Sequence, residues 1–494
     1  MRRVRALCLL VAAGAAAPLV LVPVPALAAR AARPYDVDGD GRSELVVGAP
    51  ALEVHGRPRA GGIVVFPSGL GRRGTLLTQS TRAVVGASED GDGFGASVVS
   101  ADFDRDGYAD VAVGQPGEAV GTTAGAGAVT VLPGSKRGLR GRGSSKITQP
   151  GGPRPYASFG ASLAVGDFND DAYPDLAVGA PGDERRRQDA NQEASGTVTV
   201  LLGGKKGLGA EGSSTLHRVP GLVEDHSFGA FLAVGDVDAD GRPDLVVLSQ
   251  GQVDYDGESF RSSVSYCPVP SAGPGACQRL AFTSGGARAL VLGDVQGDRR
   301  PEIVLGVPED EEDQPGYLLV LRLSGAGGAT SASAAPVEEQ DLGLSPARDD
   351  YGRDFGWSLA LGKVDGDRYD DLAVGAADEG RIYGGTGRVA VVRGGPDGLA
   401  RTGNVWFDQD DPGVPGRSEG GDRFGEAVSL LDLDGDRRAD LTVGAPGEDE
   451  QSGRVTTLRG TRSGITTAGA RAAALPGAQR FDPFPARFGQ VLAR

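Results

Sequence analysis

Short apolar runs recur along the chain, separated by glycine-rich or acidic residues. One unit contains such runs at 96–101, 111–113 and 127–132, with a fourth near Lys146–Gln149. Their length, their β-branched residues and the intervening glycines are typical of β-strands, and no stretch shows a sustained helical period. We therefore predict an all-β protein built from units of four strands.

An acidic segment lies between the first two runs of each unit and occurs seven times. Its copies are residues 36–44, 102–110, 167–175, 236–244, 294–302, 363–371 and 432–440, called loops 1 to 7 below. Their first positions are 58 to 69 residues apart. Seven repeats of four strands predict a seven-bladed β-propeller.

The two ends of the repeat region are complementary. The first unit begins at its acidic segment, while the chain finishes with Phe488-Gly489 and a short apolar run that resembles an opening strand. We expect this C-terminal strand to pair with the N-terminal blade, which closes the ring and removes exposed sheet edges.

The first residues have the features of a secretory signal peptide. Three arginines precede an apolar run from Ala6 to Val24, and Ala26-Leu27-Ala28 is a small-residue cleavage pattern. We predict a signal peptide over 1–28, a propeller over 29–494 and a secreted protein. No later segment reaches the roughly 18 apolar residues that a membrane helix needs, so no membrane span is expected.

Composition narrows the possible partners. The formal net charge is −16, and the predicted leader contains only basic charged residues. Such an acidic chain is unsuited to nucleic acid, which is bound through basic surface. Cys267 and Cys277 flank a segment rich in proline and glycine, and we predict a disulfide between them because the chain is expected to be secreted. We expect a monomer.

The acidic segments share the pattern Asp-x-Asp-x-Asp-Gly-x-x-Asp/Glu. Calcium prefers six to eight oxygen ligands, and side chains at positions 1, 3 and 5 converge if the loop curls around the ion. Glycine at position 6 allows the left-handed turn that this curl requires, and we expect the acid at position 9 to complete the site. An ordinary turn also favours Asp and Gly, but the regular recurrence of the pattern favours metal binding.

The seven loops are not equally suited to calcium. Loops 5 and 6 are doubtful, because Gln296 and Arg299 interrupt the pattern in loop 5 and Lys363 begins loop 6. We expect the Lys363 ammonium to take the place of an ion, against Asp365, Asp367 and Asp371. The other five loops are predicted to bind calcium through Asp36, Asp38, Asp40, Glu44, Asp102, Asp104, Asp106, Asp110, Asp167, Asn169, Asp171, Asp175, Asp236, Asp238, Asp240, Asp244, Asp432, Asp434, Asp436 and Asp440.

Two further motifs flank each loop. Phe-Gly stands at 94–95, 159–160, 228–229, 355–356, 424–425 and 488–489. Gly-Ala-Pro is intact at 48–50, 179–181 and 444–446, and is lost at Leu248-Ser249-Gln250. Together with the acidic loops, these motifs resemble the FG-GAP repeats of the integrin α-subunit propeller. The resemblance implies a seven-bladed propeller with calcium in several hairpin loops and a role in extracellular recognition.

The strand order predicts two different faces. Phe-Gly begins the first strand and Gly-Ala-Pro ends the second, so both motifs lie on one face and the metal loops lie on the other. Long loops at 182–195, 251–260, 343–354 and 407–423 fall on the metal-free face, where we expect a protein or glycan ligand. We interpret Trp357 and Trp406, near that face, as packing residues.

Two functions are consistent with these sequence features. The first is a calcium-stabilised binding or adhesion module, and the second is a hydrolase built on a propeller or a non-catalytic relative of the glycosylphosphatidylinositol phospholipase D propeller. The chain has three histidines, and no nucleophile elbow or zinc-binding spacing is visible. We therefore expect a binding protein and not an enzyme.

Overall fold

The computed structural model describes most of the predicted propeller. The described residues are 31–67, 69–183, 196–217, 227–253, 260–268, 277–283, 285–308, 315–323, 332–333, 336–345, 354–377, 385–476 and 486–493. The predicted signal peptide lies outside these residues, as do most of the predicted ligand loops except 407–423. No helix in the described part of the chain is long and apolar enough to cross a membrane.

The described strands form seven antiparallel sheets, which are the blades of a propeller and confirm the predicted fold. Blade 1 contains β1 (Leu45–Ala49), β2 (Gly62–Phe66) and β3 (Thr75–Leu77). Blade 2 contains β4 (Ser97–Ala101), β5 (Asp110–Gln115), β6 (Ala128–Leu132) and β7 (Ser145–Thr148). Blade 3 contains β8 (Ser162–Gly166), β9 (Asp175–Ala180), β10 (Thr197–Leu202) and β11 (Gly209–His217).

The remaining blades follow the same order. Blade 4 contains β12 (Phe231–Gly235), β13 (Asp244–Val253), β14 (Phe260–Cys267) and β15 (Gln278–Phe282). Blade 5 contains β16 (Ala289–Gly293), β17 (Glu302–Val307), β18 (Tyr317–Leu323), β19 (Ala332–Ser333) and β20 (Pro336–Val337). Blade 6 contains β21 (Phe355–Gly362), β22 (Asp371–Ala376), β23 (Arg388–Val392) and β24 (Val405–Phe407). Blade 7 contains β25 (Ala427–Leu431), β26 (Asp440–Ala445), β27 (Arg454–Thr461) and β28 (Gly464–Ala474), and β29 (Val491–Leu492) follows it.

Helical segments are short and lie between strands. Two are 3-10 turns, Gly69–Gly71 and Glu339–Leu342, and one is a single turn at Glu448–Gln451. Asp449 and Glu450 in that turn have left-handed backbone angles, so it is not a regular helix. The architecture is therefore formed by the β-strands.

The second strand of each blade explains the apolar runs of the sequence. β5, β9, β17, β22 and β26 are buried at every position. This burial arises because neighbouring blades cover both faces of the sheet, and a continuous apolar run is the pattern of such a strand. The core is thus a series of layers between adjacent blades.

The ring is closed by the last strand of the chain. β29 pairs with β1 through Val47↔Leu492 and Gly48↔Val491, and so supplies the innermost strand of blade 1. It also contacts β25 of blade 7 and β4 of blade 2. The predicted closure is confirmed.

The Phe-Gly motif joins each blade to the one before it. All six phenylalanines of the motif are fully buried, and four of them form a parallel bridge to a glycine of the preceding blade, such as Gly61↔Phe94. The motif glycine has a positive φ, for example 94° at Gly160. Its carbonyl lies directly against the Gly-Ala-Pro glycine of the preceding blade, Gly114 in this case.

Blades 4 and 5 depart from this arrangement together. Gly286-Ala287 stands where blade 5 should have Phe-Gly, and blade 4 has Leu248 where the others have the Gly-Ala-Pro glycine. Leu248 and Ala287 are fully buried in the same apolar cluster. The larger side chain in blade 4 therefore accompanies the loss of the phenylalanine in blade 5, which explains why both motifs disappear at one interface.

Candidate metal centre

The seven acidic loops connect the first and second strands of their blades and lie on one side of the ring, called the acidic-loop face. The Phe-Gly motifs lie on the opposite side, called the Phe-Gly face. The structure confirms this part of the predicted geometry, since the innermost strand of blade 2 runs from Gly95 on one face to Asp102 on the other.

Each loop is curled by hydrogen bonds from its own backbone to its own carboxylates. In loop 1, the Gly41 amide donates to Asp36 Oδ2 at 3.0 Å and the Asp40 amide donates to Asp38 Oδ1 at 3.1 Å. Loop 2 repeats this pattern with Asp102 and Asp104. In loop 1, one oxygen of Asp36 therefore shapes the loop and the other is left for a ligand, whereas in loop 2 both oxygens of Asp102 accept from loop amides.

Position 6 takes the left-handed conformation in loops 3, 5 and 7 although it is not glycine there, whereas Arg368 at this position of loop 6 does not. Ala172, Arg299 and Arg437 have φ of 70°, 72° and 68° at this position, compared with 88° at Gly41. A non-glycine residue in this region costs about 1 kcal/mol. The loss of glycine from loops 3, 5 and 7 therefore does not prevent the curl.

The carboxylates converge in four of the loops. Among the described residues, three acids have ligand atoms within 4.8 Å of one another in loops 1, 2, 4 and 7. These groups are Asp36, Asp38 and Asp40; Asp102, Asp104 and Asp106; Asp236, Asp238 and Asp244; and Asp432, Asp434 and Asp436. Four of the five loops predicted to bind calcium thus show the expected side-chain geometry.

The acid at position 9 has a second role. In every loop except loop 2, the structure shows it accepting a hydrogen bond from the amide of position 2, as Asp440 Oδ2 does from Leu433 at 3.2 Å. Its other oxygen often accepts from a glycine at or just after the end of the third strand, as Asp440 Oδ1 does from Gly460 at 2.9 Å. Only in loop 4 does this acid belong to the converging group. Elsewhere its visible role is to anchor the loop.

Burial makes the anchoring carboxylates costly to ionise. Burial, together with the charge of neighbouring loop aspartates, raises the pKa of Asp110, Asp244 and Asp440 to about 7 and that of Asp175 to about 6. A divalent cation among such carboxylates would favour their ionised forms.

The donor set fits calcium. Asp36 Oδ1 and Asp236 Oδ1 are buried and have no hydrogen-bond partner. Buried carboxylate oxygens without partners are energetically unfavourable unless a cation satisfies them. Each lies in a converging group of carboxylates, which are the hard oxygen ligands that calcium prefers.

In loop 3 the side-chain amide of Asn169 takes the place of the carboxylate at position 3. Asn169 Oδ1 accepts from the Asp171 amide at 3.1 Å, and Asn169 Nδ2 donates to Asp171 Oδ2 at 3.0 Å. Asp167 Oδ2 accepts from the Ala172 amide at 2.8 Å, as position 1 does in the other loops. The curl of loop 3 is therefore the same, with one fewer carboxylate.

Loop 6 differs from our expectation for Lys363. Its ammonium lies 3.0 Å from Asp370 Oδ1 and donates to the Arg368 carbonyl at 2.8 Å. Lys363 therefore does not lie against Asp365, Asp367 and Asp371. Asp370 immediately precedes the position 9 acid and is partly buried, and the lysine reaches it while its own side chain stays exposed.

Three residues near the loops were not identified from the sequence. Tyr266 on β14 donates to Asp238 Oδ2 at 2.8 Å, and burial raises the pKa of this tyrosine above its ordinary value. Arg322 on β18 contacts loop 5, and Arg459 on β27 contacts Asp434 and Asp436 of loop 7. The only sequence signal is a charged or aromatic residue near the end of a third strand that is otherwise apolar.

Backbone hydrogen bonds join adjacent loops at three junctions, loop 1 with loop 2, loop 5 with loop 6 and loop 6 with loop 7, whereas position 8 is proline in loops 3, 4 and 5. The position 1 carbonyl of one loop accepts from the position 8 amide of the next, as Asp36 does from Ala109 at 2.9 Å and Lys363 does from Ala439 at 2.8 Å. The same bond joins Asp294 and Asp370 at 3.0 Å. At these three junctions, a cation that orders one loop would therefore also order the contact with the next blade.

The Phe-Gly face carries a different set of side chains. Tyr156 is 71% exposed, the most exposed large apolar residue of the described chain. Trp357 is half-buried between the guanidinium groups of Arg288 and Arg423, at 4.7 and 5.1 Å from its ring centre. Trp406 packs at 6.1 Å against Phe355 and donates to the Ser345 carbonyl at 3.1 Å, so packing explains its position.

Comparison with known proteins agrees with this architecture. The model of the FG-GAP repeat matches residues 28–66, 94–132, 159–201, 355–392 and 424–458. These segments belong to blades 1, 2, 3, 6 and 7. Blade 4, which lacks the Gly-Ala-Pro motif, and blade 5, which lacks the Phe-Gly motif, are unmatched.

Curated relatives include integrin subunits and a phospholipase. The chain is 38% identical to integrin alpha-PS5 of Drosophila melanogaster over 33% of its length, and 38% identical to human integrin alpha-IIb over 30%. It is 26% identical over 70% of its length to the phosphatidylinositol-glycan-specific phospholipase D of Bos taurus. The matched regions are 15%, 14% and 44% of those proteins, respectively. The chain contains five FG-GAP repeats and is similar to integrin alpha subunits over about a third of its length.

Proposed function

We propose that this protein is a secreted, calcium-binding recognition module that binds an extracellular protein or glycan. The observation that carries the calcium part is the convergence of carboxylates in four loops, two of which contain a buried oxygen without a partner. We propose five calcium sites, in loops 1, 2, 3, 4 and 7. Secretion is supported by the leader-like sequence of residues 1–28.

Calcium has a structural role in this proposal. Backbone hydrogen bonds join loop 1 to loop 2, loop 5 to loop 6 and loop 6 to loop 7, and position 9 acids tie loops to their third strands. Ions in these loops therefore stabilise the contacts between blades. Catalysis by the metal is not part of the proposal.

The Phe-Gly face is the proposed ligand surface. It carries the exposed Tyr156 ring and the Trp357 ring between two arginines. Aromatic and arginine side chains are the types most enriched where binding energy concentrates in protein interfaces. The similarity to integrin subunits supports an extracellular binding role, although the chain matches only a fraction of their length.

A hydrolase remains the second candidate because of the similarity to a phospholipase D. The match covers 44% of that protein and contains FG-GAP repeats, so it supports a shared propeller and does not by itself support a shared reaction. We therefore propose binding without catalysis.

The test is a binding screen of the full-length secreted chain against a glycan array and a panel of extracellular matrix proteins, each in calcium and in chelator. We expect a calcium-dependent signal that Tyr156→Ala or Trp357→Ala weakens. Val405→Ala, an exposed change on the outer strand β24, is the matched control and should bind normally. No ligand in either panel, together with turnover of a phosphodiester or glycoside substrate, would favour the hydrolase.

A further inference from the structure

Loop 5 already contains a cation supplied by the protein. Arg322 projects from β18, and its guanidinium donates to Gln296 at position 3 and to Asp298 at position 5. Its Nε lies 3.8 Å from Glu302 Oε1 at position 9. These are three of the oxygen-bearing positions that a calcium ion would use in the other loops.

The register of the strands places an arginine at this position in blades 5, 6 and 7, as Arg322, Arg393 and Arg459. Arg322 directly follows Leu321, which pairs with Ile303, the first residue after loop 5. The corresponding residues of blades 1 to 4 are Pro67, Pro133, Leu202 and Pro268. None of these is charged, and each belongs to a blade whose loop is proposed to hold calcium.

The oxygen-bearing side chains of loop 5 also suit a singly charged guanidinium better than a calcium ion. Gln296 replaces a carboxylate, so the loop has three acids, Asp294, Asp298 and Glu302, where loops 1, 2, 4 and 7 have four. Among the described residues, the acids of loop 5 do not form a converging group of three. Fewer charged ligands weaken calcium binding, whereas a guanidinium with several donors matches a carboxylate and an amide oxygen.

Arg459 provides a contrast within the same chain. It occupies the equivalent position on β27 and lies 2.8 Å from Asp434 and 3.2 Å from Asp436. Its side chain is 55% exposed, compared with 38% for Arg322, and no ion pair joins it to the position 9 acid in the described structure. Arg459 therefore covers a loop that keeps all four carboxylates, whereas Arg322 lies within a loop that has lost one.

We propose that Arg322 is the built-in cation of loop 5, so that blade 5 folds without calcium while the neighbouring blades require it. This inference rests on the proposed calcium sites in the other loops. It also predicts that loop 5 becomes a calcium site once the arginine is removed, because Asp294, Gln296, Asp298 and Glu302 would then surround an unneutralised space.

The test counts calcium ions bound to the full-length chain by equilibrium dialysis and mass spectrometry. Asp298→Asn in loop 5 should leave the count unchanged, whereas Asp106→Asn, at the same position of loop 2, should lower it by one. Arg322→Ser should raise the count by one, and Arg322→Ser with Asp298→Asn should remove that gain. Arg322→Lys keeps the charge and should not gain an ion.

The outcomes separate this inference from the general calcium proposal. A lost ion in Asp298→Asn, or no gained ion in Arg322→Ser, overturns the role of Arg322. An unchanged count in Asp106→Asn contradicts calcium in loop 2 and hence the proposed function. If Arg322→Ser does not fold, the comparison of Asp298→Asn with Asp106→Asn still decides the question.

Discussion

At the scale of single residues, the contact between blades depends on two glycines that face each other. The Gly114 position has no room for a side chain, because a Cβ there would overlap the carbonyl of Gly160 and the hydroxyl of Ser97. The Ser97 hydroxyl itself donates to that carbonyl at 2.7 Å. The contact joins the second strand of blade 2 to the first strand of blade 3 through backbone atoms, so it has little freedom to relax.

Gly114→Ala is therefore expected to destabilise the protein by about 3 kcal/mol, the upper part of the range for overpacked sites. The backbone of Gly114 is not left-handed, so the effect reports crowding alone. Gly204→Ala is the control, since a Cβ there has no neighbour within 4 Å. Equal unfolding midpoints in urea for the two variants would contradict the close contact.

Buried carboxyl groups on the Phe-Gly face form a second residue-scale feature, which occurs twice. Asp422 lies beside Glu448, which accepts from Gln409 at 2.6 Å and pairs with Arg454 at 2.7 Å. The same arrangement occurs a second time, where Asp92 lies beside Glu118 and Glu118 accepts a hydrogen bond from Gln79. Burial, together with the charge of the adjacent glutamate, raises the pKa of both aspartates to about 7.

These pKa values predict a defined pH dependence. The folded state holds the proton of Asp422 up to about pH 7, whereas the unfolded chain releases it near 3.8. Stability from this group is thus present below pH 3.8 and declines as the pH rises to about 7. The Asp422→Asn variant lacks this decline. The free energy of unfolding of the variant, minus that of the parent, should therefore be roughly 1–3 kcal/mol higher at pH 8 than at pH 5.

Thermal unfolding at both pH values, in constant calcium, measures this difference. Asp397→Asn, a change at an exposed loop residue, serves as the control and should show no such trend. A stability difference between Asp422→Asn and the parent that is equal at pH 5 and pH 8 would show that Asp422 is not buried beside Glu448.

At the scale of strands and loops, the hairpin of β14 and β15 is fixed by the predicted disulfide. Cys267 and Cys277 are joined and both are buried. Blade 4 has no Gly-Ala-Pro glycine, so it lacks the backbone contact that the other second strands make with the following blade. The covalent bond holds the outer hairpin of this less regular blade.

Replacing both cysteines by serine should lower the free energy of unfolding by roughly 2–3 kcal/mol, the chain-entropy value for a loop of about ten residues. Urea unfolding of the oxidised parent and the double variant measures this loss. Reduction of the parent should reproduce it, and a variant as stable as the oxidised parent would contradict a structural role for the bond.

The strands and the acidic loops could be predicted from the sequence because each depends on residues that are close together in the chain. Apolar runs identify the strands, and alternating aspartates identify loops 1 to 7, including the converging carboxylates of four of them. Arg322, Tyr266 and the partner of Lys363 were not predictable. Arg322 and Tyr266 lie at least twenty residues from the loop residues they contact, so their roles depend on strand register and side-chain direction, which residue type alone does not reveal.

At the scale of the whole molecule, the ring is closed without a covalent bond. Phe488, which precedes β29, is fully buried, and its ring centre is 6.2 Å from that of Phe66 in blade 1. The hydroxyl of Ser429 in blade 7 donates to the Ala493 carbonyl at 2.5 Å. The last residues of the described chain thus link blades 7 and 1.

Phe488→Ala should therefore cost about 3–5 kcal/mol, as for other large residues truncated in a core. Phe282→Ala is the control, because this side chain is 41% exposed on an outer strand and should change stability by less than about 1 kcal/mol. Chemical unfolding compares the two. Similar losses would mean that the terminal strand does not close the ring in solution.

The central claim is that calcium in the acidic loops stabilises the junctions between the blades, and its most direct test is thermal unfolding of the full-length chain in millimolar calcium and in excess chelator. Each ion present at a hundredfold excess over its dissociation constant adds about 2.7 kcal/mol, so several sites should raise the midpoint by about 10 °C. Magnesium, which needs stricter octahedral geometry, should substitute poorly. The same midpoint in calcium and in chelator would contradict the account.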